Sequence, residues 1–257
     1  MNAGISLAIT HTPWVKDRVK SLHRLLEQLG ACEVMMFQDR MPNWAWSFLM
    51  WHWAAMEAPV NVTHCLFLQD DVEVAPDFWA QLRQMIAQVP YEIIGLESCH
   101  PAAPKIASEG IGWYTTIDGL VGPGYVFPRQ LLADFIGWRK RELMPGAAVR
   151  ISEDTLIGVY AMARGRKIYH PVPTIIDHDT SIKSSYLNDE HKHRRPLATW
   201  RTHDRSTLDC DASNAVHLGR FYESNHWLCR QYVYDWAPQR HWTCELDRCP
   251  EQYAEGL

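Results

Sequence analysis

Two pairs of adjacent acids and one histidine are the residues of this chain most able to do chemistry: Asp70-Asp71, Glu153-Asp154 and His178. Asp70 and Asp71 follow Gln69 at the end of a short apolar run, Cys65 to Leu68. Such a run reads as a strand covered on both faces of a largely parallel sheet. Like charges at the end of a buried strand repel, so the pair either turns into solvent or has a positive partner. A hard divalent cation that also grips phosphate oxygens fits that partner best. Glu153 and Asp154 follow Ser152, a capping residue, ahead of Leu156, Val159, Tyr160 and Ala163 at helical spacing. Acids in a first helical turn are stabilised by the positive dipole end, which explains that pair without any reaction. His178 stands between Asp177 and Asp179, as an ordinary polar residue or as a ligand. The bend Gly119 to Tyr125 holds Gly122 and Gly124, which permit positive φ and a close approach of backbone to a ligand, although Gly-Pro-Gly is chiefly turn chemistry.

The elements that position these residues alternate. Gly4 to Thr10 reads as a first strand, and Thr12-Pro13 as an N-cap followed by proline at the first helical position. Val15, Val19, Leu22, Leu26 and Leu29 mark one face of the helix that Gly30 ends, and Arg18 reads as an exposed charge within reach of a phosphate or base. Cys32 to Gln38 is a second strand, with Asp39 after it, and Asn43 to Met56 is a helix apolar nearly all round, capped by Asn43. Pro76 opens an amphipathic helix with Phe78, Leu82, Met85, Ile86 and Val89 on its face. Tyr91 to Leu96 is a buried strand leading to Glu97, Ser98, Cys99 and His100. Residues 101–112 read as loop, Trp113 to Asp118 as strand, the stretch after Pro128 as helix, and Lys167 to Val172 as strand. Alternation of this kind predicts an α/β layered sheet, with ligands bound outside the carboxyl ends of its strands.

Composition narrows the class. A chain of 257 residues, 47% hydrophobic and 21% charged, suits one globular domain with a small appendage. No apolar run reaches the roughly 20 residues that cross a bilayer, and the first ten residues lack a signal-peptide pattern, so no membrane partner and a cytosolic location are expected. Seven cysteines form no evident disulfide framework, and Cys32, Cys65 and Cys99 read as buried free thiols. A net charge of −5 argues against a uniformly cationic nucleic-acid binder. The twelve tryptophans serve either as stacking surfaces or as core bulk, and the cluster Trp44, Trp46, Trp51 and Trp53 reads as core.

Taken in order, these parts resemble the GT-A fold of nucleotide-sugar-dependent glycosyltransferases over roughly residues 4 to 185. A strand ending in a DxD-like element, the strand entry GPGYVFPRQL, a helix opening SEDTLIG and a late histidine in DHDTSIKSS carry the resemblance. It implies an α/β/α sandwich around a Rossmann-like mixed, mainly parallel sheet, with residues 1–182 as catalytic domain and 183–257 as an extension packed on it. It implies a UDP-sugar donor and Mn²⁺ or Mg²⁺ bridging diphosphate and protein. Asp71 matches the last acid of the DxD element as metal ligand, His178 the histidine that completes the coordination, and Asp70 a residue facing ribose, sugar or metal-bound water. Gln69 departs from the pattern, which often has an acid there. Thr10, Thr12, Arg18 and Asp39 match the nucleotide-facing strand ends, and Gly122, Gly124 and Tyr125 the loop along donor and acceptor. In inverting members the aspartate of the xED element is the base, here Asp154, with Glu153 orienting a hydroxyl. Direct displacement at an anomeric carbon needs a carboxylate opposite the leaving group and a cation on the departing diphosphate, so two separate acidic sites meet the chemistry.

Beyond residue 182 the composition shifts. The segment Lys183 to Arg205 carries six Lys or Arg (Lys183, Lys192, Arg194, Arg195, Arg201 and Arg205) against three acids. It reads either as a solvated loop or as a track for a polyanionic acceptor such as DNA, whose hydroxymethylated pyrimidines are glycosylated by phage enzymes. Glycan, protein and small-molecule acceptors remain open, as do a metal-dependent hydrolase or nuclease and a non-catalytic binding module. Cys210, Cys229, Cys244 and Cys249 lie among histidines, as structural Zn²⁺ ligands or as ordinary thiols.

Overall fold

The structure is a computed structural model, and it describes residues 4–30, 32–38, 45–98, 100–117, 122–142, 153–179, 182 and 198–219. The chain opens with β1 (Gly4–His11), α1 (Lys16–Leu29), β2 (Val34–Gln38), α2 (Ala45–Met56), β3 (Val62–Gln69), β4 (Val72–Val74) and α3 (Phe78–Gln88). It continues through β5 (Ile93–Gly95), α4 (Ala103–Ser108), β6 (Trp113–Thr116), β7 (Gly124–Pro128), α5 (Arg129–Glu142) and α6 (Glu153–Ala163). β8 (Ile168–Pro171), β9 (Ile176–His178) and β10 (Val216–His217) complete it. Eight strands form one sheet in the order β10-β6-β8-β5-β7-β3-β1-β2, while β4 and β9 pair separately. The sheet is mixed and mainly parallel: β1 is parallel to β2 and β3, and β7 is antiparallel to both β3 and β5.

Helices cover both faces, because each strand of the centre is apolar on both sides. On one face α2, α5 and α6 pack Trp51, Phe135, Trp138 and Tyr160 against Phe67, Tyr125 and Phe127. On the other, α1 and α3 pack Leu22, Leu25, Leu82 and Met85 against Leu7, Ile9, Leu66 and Leu68. From β1 the chain steps one way to β2 and then back across to β3, so the strand order reverses between β1 and β3. A crevice outside the carboxyl ends of two such strands is where open α/β sheets take ligands.

Several boundaries differ from the sequence reading. α1 begins at Lys16, beyond a turn in which Val15 N–H bonds Thr12 O at 3.2 Å, so Thr12 is not its N-cap. Its buried face runs through Arg18, Ser21, Leu22, Leu25 and Leu29. α3 begins at Phe78, after Asp77 in the left-handed region at φ 55°, and Pro76 lies before it. The expected loop 101–112 contains α4, which forms because Ala103, Ile106 and Ala107 bury an apolar face against Tyr114, Val172 and Leu218. Cys32 is exposed, since β2 starts two residues after it, whereas Cys65 is buried. Asn43, Trp44, Cys99 and Ser152 lie outside the described residues.

Beyond residue 182, β10 joins the sheet and two further residues make isolated bridges outside it. Thr199 bridges Thr174, Asp209 bridges Ile111, and β10 adds to the edge at β6. Ala198 and Leu218 are buried. Among the described residues no helix is long and apolar enough to cross a membrane.

Candidate functional site

The carboxyl ends of β1 and β3 bring Thr10, His11 and Thr12 beside Gln69, Asp70 and Asp71, since Thr10 lies opposite Gln69 in the parallel register. Asp70 and Asp71 are both wholly buried. The positive partner that their repulsion demands is Arg18, itself only 4% exposed. One guanidinium spans the pair: Arg18 Nη1 donates to Asp70 Oδ1 and Arg18 Nη2 to Asp71 Oδ2, each at 2.6 Å. The expectation that Arg18 is an exposed helix charge is therefore corrected, because Arg18 lies one turn before Leu22 on the buried face of α1. Asp70 is satisfied further by Thr12 N–H at 2.7 Å and His11 Nδ1 at 2.8 Å on Oδ2. Asp71 is not so fully met. Its Oδ1 is buried and has no hydrogen-bond partner among the described residues.

A second acid stands close by. Glu97, just past β5, is wholly buried, and its Oε1 lies 3.1 Å from His178 Nδ1. His178 reaches it from the small sheet, in which Val72 pairs with His178 and Val74 with Ile176. Asp179 N–H then bonds Asp71 O at 2.8 Å, and Arg24 of α1 forms an ion pair with the Asp179 carboxylate. The histidine is thus fastened to the strand end that carries the acid pair. Burial pushes the Glu97 carboxyl above the usual carboxylate range, and Asp177 and Asp71 add to that against the opposing pull of His178. Burial pulls His178 down, but the charge of Glu97, the bond to it and the charge of Asp71 outweigh burial and Arg18, and hold the imidazole above its ordinary value. Glu97 Oε2 is a second buried carboxylate oxygen without a partner among the described residues.

The second acidic pair of the sequence sits at the start of α6. Tyr160 bonds Asp134 of α5 at 2.8 Å, Arg164 bonds the same carboxylate, and Phe135 and Trp138 stack near Tyr160. Late α6 therefore packs against the middle of α5. α5 leaves from Pro128, which pairs with His64 at the amino end of β3. α6 leads through residues 164–167 to Ile168 at the start of β8. Asp154 is partly exposed; the side chain of Glu153 lies outside the described residues.

The other expected residues divide. Thr10 is half-buried with its hydroxyl 3.5 Å from Leu68 O. Gln69 N–H bonds Pro123 O at 2.8 Å, which folds the Gly122-Pro123 bend over the end of β3. Neither Gly122 nor Gly124 takes the positive φ that its residue type permits. Gly124 is required by packing, since a Cβ there would come within 2.6 Å of Ile176 Cδ1 and 2.8 Å of Leu68 Cδ2. Tyr125 is a core residue: its ring lies 5.0 Å from that of Phe67 and its hydroxyl accepts from Trp51 Nε1 at 2.7 Å. Asp39 lies outside the described residues, as do Cys229, Cys244 and Cys249. Cys210 is described, with Sγ 3.7 Å from Arg205 O. Of the basic segment, Arg201 pairs with Glu73 and, at 3.7 Å, with Asp177, while Arg205 donates to Gly112 O and Val172 O and lies over the Trp113 ring. Both are committed to holding the segment on the sheet; Lys183, Lys192, Arg194 and Arg195 lie outside the described residues.

Three residues escaped the sequence reading as site components: His11, Arg24 and Glu97. Glu97 had the same signal as Asp70, a polar residue closing the apolar run Tyr91 to Leu96. Trp14, in the turn after β1, is 52% exposed, unusual for an indole this near a buried polar cluster. Among the described residues no three His, Cys, Asp or Glu side chains are grouped to hold a metal by themselves. A cation that takes most of its ligands from phosphate and water needs fewer, and the unpaired Asp71 Oδ1 is a donor of the right hard type.

No protein-family model matches the chain, and no curated protein matches it. Among solved structures, one titled "Crystal Structure of A197 from STIV" aligns at a TM-score of 0.42 and 11% identity, over 68% of this chain and 85% of that one. A likeness of that order carries no argument about function.

Proposed function

We propose that the protein is a nucleotide-sugar-dependent glycosyltransferase of the GT-A type that moves a hexose from a UDP-sugar to an acceptor hydroxyl, with inversion. The observation that carries this reading is the wholly buried acid pair at the strand-order reversal, with Asp71 Oδ1 lacking a partner among the described residues and His178 fastened beside it. Asp71 and His178 are the residues that would hold Mn²⁺ or Mg²⁺, and the bound cation would offset the charge gathering on a departing diphosphate. Arg18 bonds both Asp70 and Asp71 and holds them in place, so no reorganisation is needed when the donor binds. Thr10, Thr12 and Gln69 line the strand ends that would face the nucleotide. Asp154 takes the acceptor proton as the hydroxyl attacks the anomeric carbon, and Glu153 orients the sugar or acceptor. The acceptor we favour is a hydroxymethylpyrimidine of DNA, attracted by the charge of the basic segment Lys183 to Arg205, in a cytoplasmic setting.

The test is to incubate the protein with Mn²⁺ and a panel of nucleotide sugars, offer hydroxymethylated DNA and simple glycans in parallel, and read nucleotide release and product masses. Release that needs the metal and rises with one acceptor is expected, and Asp154→Asn should lower it by about 10²-fold or more. Cleavage of DNA without any sugar donor would select a nuclease instead. Transfer at an undiminished rate by Asp154→Asn would remove the assigned base.

A further inference from the structure

The ribbon that carries His178 needs support from outside itself. β4 and β9 are three residues each and pair with each other apart from the main sheet, and a lone two-stranded ribbon is marginal in water. Alternation gives it two faces. Val72, Val74, Ile176 and His178 share one, and the three apolar residues are buried in the core that α1 and α3 cover. Glu73 and Asp177 share the other, directly opposite each other in the antiparallel register. Like charges so placed push the strands apart.

A compensating charge comes from further along the chain. Arg201 donates to the Glu73 carboxylate and its Nε stands 3.7 Å from the Asp177 carboxylate, so one guanidinium spans both strands. The guanidinium is held from behind, 4.2 Å from the centre of the Trp200 ring, and Trp200 packs on the core. The backbone of the same stretch is tied to Thr174, two residues before β9: Thr174 N–H bonds Ala198 O at 2.9 Å, and Trp200 N–H bonds Thr174 O at 3.1 Å.

We infer that residues 198–201 are a latch on this ribbon: Arg201, by bridging Glu73 and Asp177, keeps β4 and β9 together and so sets how much of the time His178 stands beside Glu97 and the acid pair. Arg201 is a positioning residue that acts through the ribbon. When the ribbon opens, the bond from Asp179 N–H to Asp71 O breaks with it, and the imidazole leaves the strand end. The inference needs no cation, donor or acceptor, and it stands whether or not the protein transfers a sugar.

Amide hydrogen exchange on the full chain, followed residue by residue by NMR, reads this opening. Asp179 and Ala75 report the ribbon, since their N–H groups bond Asp71 O and Ile175 O. Leu96, whose N–H bonds Gly124 O in the main sheet, is the control. Arg201 is half-exposed and belongs to no core cluster, so its variants keep the fold. Arg201→Ala should speed exchange at Asp179 and Ala75 about fivefold or more, the order of a cross-strand charge pair, and leave Leu96 unchanged. Adding Glu73→Gln, which removes the repulsion as well, should recover about half of that change or more. Arg201→Lys should fall between wild type and alanine, because an ammonium keeps the charge without the fork that spans two carboxylates. Unchanged exchange at Asp179 and Ala75 would overturn the inference. So would equal acceleration at Leu96, which would make Arg201 a support of the whole sheet. A double variant that exchanges as fast as Arg201→Ala would overturn it too, because the arginine would then act by packing on Trp200 and not by bridging the two acids.

Discussion

Two buried acidic groups meet at the carboxyl edge of this sheet, and they are neutralised differently. Asp70 and Asp71 share the guanidinium of Arg18, a permanent charge with a planar fork that matches two carboxylates at once. Glu97 faces only an imidazole, whose charge depends on pH. The first arrangement is a fixed frame. The second leaves an oxygen of Glu97 without a partner among the described residues and holds both groups above their ordinary pKa values, as functional groups often are. Asp71 belongs to both, with Oδ2 in the frame and Oδ1 unmatched on the other side.

If the frame is as essential as its burial implies, the largest effect comes from breaking it. Arg18→Leu leaves two carboxylates at zero exposure with no cation between them, and removing one partner of a buried pair costs about 3 to 5 kcal/mol. Urea unfolding should therefore show the variant at the edge of stability, and Arg18→Lys should recover only part of the loss because one ammonium cannot donate as a fork. A stability within 1 kcal/mol of wild type, on the order of a surface change, would mean that the acid pair is wet and not a frame. The next effect separates the two acids. Asp70→Asn disturbs three bonds, to Thr12, His11 and Arg18, and should cost about 2 kcal/mol or more. Asp71→Asn weakens one charged bond and removes a buried charge, so it should cost less than about 1.5 kcal/mol and, on the proposed function, abolish Mn²⁺ binding. Equal losses of stability in the two variants would erase the distinction between frame and site.

The frame was legible in the sequence only as a demand. The apolar run Cys65 to Leu68 followed by two acids required a positive partner at a strand end, but its identity depended on the phase of α1. Arg18 precedes Leu22, Leu25 and Leu29 by four, seven and eleven residues and so shares their buried face. A charge at the end of an apolar stripe looks in sequence like its solvated edge, so the spacing alone did not mark Arg18 as the counter-ion of the site. The alternation of strands and helices, by contrast, followed directly from hydrophobic periodicity, and the layered α/β architecture with it. Partnerships across 81 residues, such as Glu97 with His178, have no local signal at all. Composition misled in one place. Arg201 and Arg205 counted toward a basic track, but they are used in holding the segment to β4, β9 and β6, since a buried or stacked arginine looks in sequence like a solvated one.

The smallest effect is a slope, and it bears on the second arrangement. The folded protein holds the His178 proton above its ordinary value of 6.5, so below 6.5 the stabilisation is fully present, and it is lost as pH rises through the folded value. Glu97 contributes in the same sense from its ordinary value of 4.5 upward, because burial raises it too. His64 and His100 act oppositely: burial lowers both, His100 to about 4, and their neutral forms lose stability as pH falls below 6.5. The total curve mixes the two senses, but a difference curve does not. Unfolding free energies of wild type and Glu97→Gln, measured from about pH 5 to about pH 8.5, share the His64 and His100 contributions and differ in the pair. In the variant, burial and Arg18 pull His178 down with only Asp71 opposing, so the decline across neutrality should flatten or reverse. Wild type minus variant should therefore fall steadily with pH. A flat difference would show that the imidazole and the carboxylate do not share a proton-linked bond, and the contrast between a fixed frame and a pH-dependent pair would be lost.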